Sequence, residues 1–462
     1  MNCHARLISR AQAVSVVARQ KPHPQNGKHI MNLISDRTSL IHTENAFKVG
    51  PYIAALEEAG HKVVKCNLGE PDFQTPVHIR EEVKAQLDKD NTHYTNPQGI
   101  PGLRKAVAKY IGEARGIDIT AEQVVVFPGG KPPIGMCQQT YCNPGDEIIY
   151  PSPGFPIYES FIRYVGAVPV PLHLREDIGF SITGADLEKL ITPRTKLIYL
   201  NFPSNPTGGV ATKEQLEEIA DVIKRKCDPN IRIYSDEIYE NILFDGAENY
   251  SIASIPGMQE KTIIATGASK SYSWTGGRVG WAVFPTIEEA KLFTNLNINY
   301  FSCIPPYNQE GARVAIESPL SKGTIAAMNT AFEERRDFVV NALNNMPGVS
   351  CQLPKGAFYV FPNIAGVVKN MKIDEVYAAL PENVKKTTSP STLFQMFLLW
   401  EYHVATMDRK SFGQIGTENM HYLRLSIATG IDDLKLGMER MANAINDQAG
   451  FDNFMKAQAH FS

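Results

Sequence analysis

The sequence predicts an α/β protein: a mostly parallel central sheet sandwiched by helices, joined to a smaller α+β part built from both chain ends. Three observations carry that reading. Short apolar, β-branched runs alternate with helical segments through the middle of the chain, as βαβ units do. The residues best suited to chemistry follow those runs, and open α/β sheets bind ligands outside the carboxyl ends of their strands. Past about residue 330 the alternation stops, and a long charged helix leads into shorter strands.

Residues 1–30 carry Arg6, Arg10, Arg19, Lys21 and Lys28 but no acid, and the first carboxylate is Asp36. They read as a transit peptide or as an extension upstream of a start at Met31, outside the fold in either case. Residues 31–75 are expected to pack with the smaller part. Residues 76–329 form the large part, with strands predicted at Val124–Phe127, Glu147–Tyr150, Lys196–Asn201, Ile231–Tyr234, Thr262–Thr266 and Val279–Phe284, and a helix at Lys213–Arg225. Residues 330–450 form the smaller part, with a helix at Thr330–Asn345 and strands within 356–362 and 422–428. Residues 451–462 are set aside as a tail.

A chain of 462 residues has room for a large core domain and a second, smaller one. Hydrophobic content of 43% and charged content of 21% describe a soluble globular protein. The net charge of −3 gives no reason to expect nucleic acid or an anionic membrane as partner. No apolar run reaches the roughly 18 residues that span a bilayer. The seven cysteines are scattered and form no CxxC pair. They read as free thiols in a reducing compartment, and no metal is expected. The cytoplasm is the expected location, with the mitochondrial matrix as alternative if residues 1–30 are a transit peptide.

The run from Ser269 to Trp281, SKSYSWTGGRVGW, places Lys270 just past an apolar strand, with Arg278 after a Thr275-Gly276-Gly277 bend. A lysine that condenses with an aldehyde cofactor needs such a rigid strand end, and a fixed cation nearby can hold the cofactor's phosphate. Asp236, in IRIYSDEIYENI, follows a strand-like run and should be largely buried. A lone buried carboxylate is costly, and a protonated pyridine nitrogen would offset that cost. Tyr239 would then point at the ring's oxygen, and Asn205, in the turn sequence NFPSNPTGG, would donate to the same atom. In FPGGKPPIG a glycine loop opens a helix, so Gly130 and Lys131 should approach the phosphate. Phe155, in YPSPGFPIY, can stack on the ring face. Arg424, in HYLRLSIA, supplies a planar, permanently charged fork for a substrate α-carboxylate, with Gly69 of NLGEPDFQTP near the same group. Tyr94, in a loop before a helix, is a candidate phosphate ligand.

These segments together resemble the class I/II aminotransferases of fold type I, in the branch of the bacterial-type aspartate aminotransferases. The resemblance covers roughly residues 35–445, with the motifs in the family's order. It implies pyridoxal 5′-phosphate as cofactor, Lys270 as its Schiff-base lysine and proton shuttle, Asp236 as pyridinium partner, and Asn205 and Tyr239 as ring-oxygen ligands. Arg278 becomes the phosphate arginine, Phe155 the stacking aromatic and Arg424 the carboxylate arginine. Tyr94 matches a tyrosine that reaches the neighbouring subunit's phosphate, which implies a homodimer with shared active sites. Lys131 resembles a lysine that helps bind a side-chain carboxylate.

The implied reaction moves an amino group from an L-amino acid, aspartate-like favoured, to a 2-oxo acid such as 2-oxoglutarate by a ping-pong cycle. Alternatives are aromatic or broad specificity, or a C–S lyase, decarboxylase or synthase on the same scaffold. The chain departs from the family pattern in four places, one of which is that the residues after Asn45 do not match the acidic-substrate contacts expected there. Gly277 replaces a large residue before Arg278. Gly267 stands where many relatives carry a phosphate-binding serine, so either Ser269 takes over that role or the phosphate is held less tightly. Asp408-Arg409 replaces a common Pro-Gly.

Overall fold

The computed structural model describes residues 33–41 and 45–457. The readings of residues 1–30 and of 458–462 therefore lie outside the described residues. A short strand, β1 (Val64–Lys65), precedes the large sheet, which is made of β2 (Val124–Phe127), β3 (Glu147–Ser152), β4 (Val168–His173), β5 (Thr195–Asn201), β6 (Arg232–Asp236), β7 (Thr262–Gly267) and β8 (Gly280–Val283). Their spatial order is β2-β8-β7-β6-β5-β3-β4. The pairs from β4 to β7 are parallel, and β8 runs antiparallel to both of its neighbours, β2 and β7. Runs such as VVVF in β2 and TIIATG in β7 are buried throughout, because helices cover both faces of the mostly parallel sheet.

Each predicted strand of this sheet is present, and β3 and β6 run past their predicted ends. β6 continues through Ser235 and Asp236 because those residues pair with Leu200 and Asn201 on one side, while Asp236 pairs with Ala265 on the other. Asp236 is thus the last residue of a strand rather than a residue beyond its end. The sequence reading missed β4, whose Pro169 and Pro171 argue against a strand. Proline is tolerated there because β4 is the sheet's edge, where one row of N–H groups pairs with nothing. The helix predicted at Lys213–Arg225 spans Lys213–Lys226, opened by a capping box in which Thr212 and Gln215 exchange hydrogen bonds.

The smaller layer holds β9 (Tyr359–Val360), β10 (Val404–Ala405), β11 (Met407–Asp408) and β12 (Leu423–Ser426). β11-β12-β9 form an antiparallel sheet, and β1 pairs parallel with β10, tying the N-terminal segment to this layer. Val64, Phe332, Phe358, Phe397 and Leu425 share its core. The long helix spans Leu320–Asn344 and so starts well before Thr330. Its first turns carry Gly323 and few large apolar residues, which hid them from the periodicity. The segment read as a tail begins inside a further helix, Gln448–Ala457, whose Phe451 and Phe454 pack against Phe397.

Two of the departures find a packing reason in this part of the fold. A Cβ on Gly277 would lie 2.3 Å from the indole of Trp274, so that ring fills the space a larger residue would need. Arg409 is buried and donates to Ser152 Oγ at 2.9 Å and to the Gly413 carbonyl at 3.1 Å, while Gly154 N–H donates to the Phe412 carbonyl at 2.9 Å. Asp408 accepts from Ser411 N–H at 3.1 Å. The loop after β11 is thereby clamped onto the end of β3, and burial pulls the Arg409 guanidinium down to about 10.

A run of glycines brings three backbones together. Gly267 of β7 pairs with Gly280 of β8, and a Cβ on Gly280 would lie 2.5 Å from the Gly129 carbonyl carbon. The Gly129–Gly130 loop rests directly on β8. Gly280→Ala is expected to lower stability by about 1–3 kcal/mol in urea denaturation, because the loop has to lift. Unchanged stability would contradict this contact.

Candidate active site

A cavity of ≈ 410 Å³ opens at the carboxyl ends of the large-sheet strands, facing the smaller layer. It is lined by Gly69, Gly130, Lys131, Phe155, Asn205, Asp236, Tyr239, Ser269, Lys270, Arg278 and Arg424. The structure therefore gathers almost every residue singled out in the sequence. Tyr94 is the exception: its side chain is not part of the lining and is 88% exposed.

The floor is Asp236, which is 8% exposed. Its carboxylate accepts a hydrogen bond from Tyr158 Oη at 2.7 Å and from Ile238 N–H at 3.4 Å. Burial pushes its pKa up to about 6, against the Tyr158 hydrogen bond, which favours the charged form. Asn201, at the end of β5, donates to the Asp236 carbonyl at 3.0 Å and accepts from Asn205 N–H at 3.0 Å. One side chain thus fixes the spacing between Asp236 and Asn205.

Lys270 lies in the short helix Ala268–Ser271 that follows β7. Its Nζ donates to the Gly69 carbonyl at 2.6 Å, holding the amine inside the cavity. Arg278 adopts φ +50° after the Thr275–Gly277 turn and donates to the carbonyls of Thr275 (2.7 Å) and Pro128 (3.0 Å). Its guanidinium packs on Gly129, where a Cβ would lie 2.2 Å from Nη2. Arg278 therefore stands beside the start of the helix Pro132–Tyr141, whose free N–H groups and dipole favour an anion. Ser269 is buried in the same wall. Gly267, where a serine was expected, leaves no room for a side chain, since a Cβ there would lie 2.8 Å from Gly280 Cα.

Arg424 of β12 closes the opposite wall. Its Nη1 donates to Asn205 Oδ1 at 3.2 Å and its Nη2 to the Asn67 carbonyl. The guanidinium lies 4.7 Å from the Tyr359 ring centroid and 4.9 Å from that of Phe412. On the third side Lys131 Nζ is 5.5 Å from the Phe155 ring centroid. The cavity combines an amine, a buried carboxylate, an anion cradle and a second guanidinium fork. Such a set can bind an anionic group at each end of a ligand and move a proton in the middle.

Sequence reasoning missed Tyr158, Asn201 and Tyr359. Tyr158 sits on the helix Ile157–Tyr164 and stacks on Tyr199 with centroids 4.8 Å apart. Asn201 carried a signal as the last residue of an apolar strand. Tyr359, in GAFYVFP, carried none.

The buried carboxylate has a thermodynamic signature in the ligand-free protein. Asp236 keeps its proton up to about pH 6 in the native state and to 3.8 at its ordinary value. The stability linked to it is present below the lower value and is lost as pH rises to the higher one, a loss of roughly 3 kcal/mol. Asp236→Asn is therefore expected to be the more stable protein at pH 8, with an advantage that shrinks as pH falls below 6. Urea denaturation across that range measures it, and parallel pH profiles for the two proteins would contradict it.

Comparison with known proteins agrees with this geometry. The family model described as aminotransferase class I and II matches residues 61–441. The chain is 34% identical over 418 residues to an aromatic-amino-acid aminotransferase 2 of Thermococcus litoralis, covering 90% of this chain and 99% of that protein. It is also 34% identical over 415 residues to an aspartate aminotransferase of Pyrococcus horikoshii, covering 90% and 98%. The crystal structure of the aspartate aminotransferase from Rhizobium meliloti superposes with a TM-score of 0.80 at 30% identity, covering 89% of this chain and 98% of that one. With matched length, shared fold and a cavity of this composition, the chain belongs to the class I and II aminotransferases and is an amino-group-transferring enzyme of fold type I.

Proposed function

We propose that this aminotransferase holds pyridoxal 5′-phosphate through Lys270 and moves an amino group from an aspartate-like L-amino acid to a 2-oxo acid such as 2-oxoglutarate. The observation that carries the reading is one cavity with the Lys270 amine and the buried Asp236 carboxylate inside it and Arg424 across from them. The residues fit the cofactor. Among the described residues Asp236 is met at hydrogen-bond distance by neutral donors alone, and a protonated ring nitrogen would complete this buried anion. Ser269, Arg278 and the N–H groups of Gly130 and Lys131 line one end with donors suited to a phosphate, and Phe155 offers an aromatic face.

When bound, the cofactor supplies an aldehyde carbon that carries the amino group and a ring that draws electrons from the substrate's Cα. The remaining work falls to the chain. Arg424 binds the α-carboxylate as a fork, with Asn205 fixing one of its nitrogens. Asp236 keeps the ring nitrogen protonated, and Tyr239 and Asn205 donate to the ring oxygen. Lys270 would take the proton from the substrate's Cα and deliver it to the cofactor carbon that accepts the amino group. Gly69 steers the amine through its carbonyl.

Tyr94 is proposed to act in a homodimer, reaching the phosphate in the partner's cavity; its exposure in a single chain supports this. A cytoplasmic location is proposed from the free cysteines among the described residues. No helix among the described residues is long and apolar enough to cross a membrane.

A second reading, for aromatic donors, rests on the apolar Phe155, Pro156, Met407 and Phe412 that line a small recess beside Arg424. Against it stands Lys131, a cation in the same cavity. A screen of amino acids with 2-oxoglutarate, followed by the cofactor's visible absorbance, separates the two. Aspartate is expected to convert the aldehyde form to the amine form fastest. Lys131→Gln is expected to cut kcat/KM for aspartate about 10–100-fold, the loss of one charged hydrogen bond, with little change for phenylalanine. Equal losses on both donors would contradict the role given to Lys131, and no conversion by any amino acid would contradict the reading as a whole.

A further inference from the structure

We infer that Tyr359 is a positioning residue that tunes the lysine–cofactor linkage through Tyr239; this rests on the cofactor reading above. Tyr359 lines the cavity, yet its hydroxyl is committed to another side chain. Tyr239 Oη and Tyr359 Oη are 2.8 Å apart and both residues are buried. The hydroxyl occupies a notch that exists only because residue 69 is glycine, since a Cβ there would lie 2.1 Å from Tyr359 Oη. The same Gly69 accepts from Lys270 Nζ, and the Tyr359 ring lies 4.7 Å beneath the Arg424 guanidinium. One tyrosine therefore borders the amine, the carboxylate fork and the ring-oxygen donor at once.

The chemistry of the pair sets a direction. Two buried hydroxyls in contact share one hydrogen bond, so one proton lies between them and the other is directed elsewhere. With Tyr239 donating to the ring oxygen, the proton between the two tyrosines comes from Tyr359. A hydroxyl that accepts a hydrogen bond becomes a stronger donor, because chained bonds polarise one another in a low-dielectric site. When the nitrogen of the lysine–cofactor linkage loses its proton, the neighbouring ring oxygen carries uncompensated negative charge. A stronger donor at Tyr239 stabilises that state more than the protonated one. Tyr359 thus lowers the pH at which the linkage deprotonates and widens the range in which it is reactive.

The test is the pH midpoint of the visible absorbance change of the holoenzyme. Tyr359→Phe keeps the ring under Arg424 and removes only the hydroxyl. Its midpoint is expected to rise by about half a pH unit, a fraction of the ~1 kcal/mol of one hydrogen bond. In a Tyr239→Phe background the same substitution is expected to add no further rise, because the relay is already cut. An unchanged midpoint in Tyr359→Phe, or a rise of equal size in the Tyr239→Phe background, would overturn the inference while leaving the cofactor reading intact. A wild-type protein with no visible band after incubation with pyridoxal 5′-phosphate would overturn both.

Discussion

A negative charge buried at the end of a parallel strand organises this molecule. Asp236 is the last residue of β6, paired on both sides within the sheet, and it cannot withdraw into solvent. Tyr158 and Ile238 meet its oxygens with neutral donors, which ease but do not cancel the cost of removing a carboxylate from water. Its pKa, pushed up to about 6, records what remains. A fold that keeps such a group has left it for a partner of opposite charge, and the cavity above it is where that partner belongs. The arrangement favours binding at the expense of ligand-free stability, as sites built ahead of their ligand do.

The surrounding structure fixes the other groups relative to that carboxylate. Asn201 links Asp236 to Asn205, and Asn205 in turn touches Arg424, so a chain of hydrogen bonds crosses from the large sheet to the smaller layer. The loop after β11 grips the end of β3 through Arg409 and the Phe412 carbonyl, just before Phe155. Phe412 also lies beneath the Arg424 guanidinium. Phe155 and Arg424 are therefore held by one loop, and a shift of the smaller layer would move both together. On the opposite side the glycines at 129, 267 and 280 let three backbones stack, which carries the Gly129–Gly130 loop close to β7, the strand that leads into Lys270.

Much of this was legible because strand ends announce themselves. Apolar runs that stop at Asn201, Tyr234 or Thr266 place the next polar residues at the edge of a buried sheet, and the parallel topology brings those edges to one side. β4 was illegible because Pro169 and Pro171 speak against a strand, and only its place at the sheet edge makes them acceptable. Tyr158 and Tyr359 were illegible for another reason. Each looks like an ordinary core aromatic along its own element, and its hydroxyl acquires a partner only when a distant segment arrives: β6 for one and Tyr239 for the other. Gly277 looked like a deletion of bulk, yet the indole of Trp274 had taken that place.

The most direct test concerns the amine beside that carboxylate. Purified protein incubated with pyridoxal 5′-phosphate, reduced with borohydride and digested with protease yields a stable cofactor-tagged peptide wherever a lysine had condensed with the aldehyde. Mass spectrometry is expected to place the tag on Lys270 alone. A tag on another lysine, or no tag at saturating cofactor, would contradict the account.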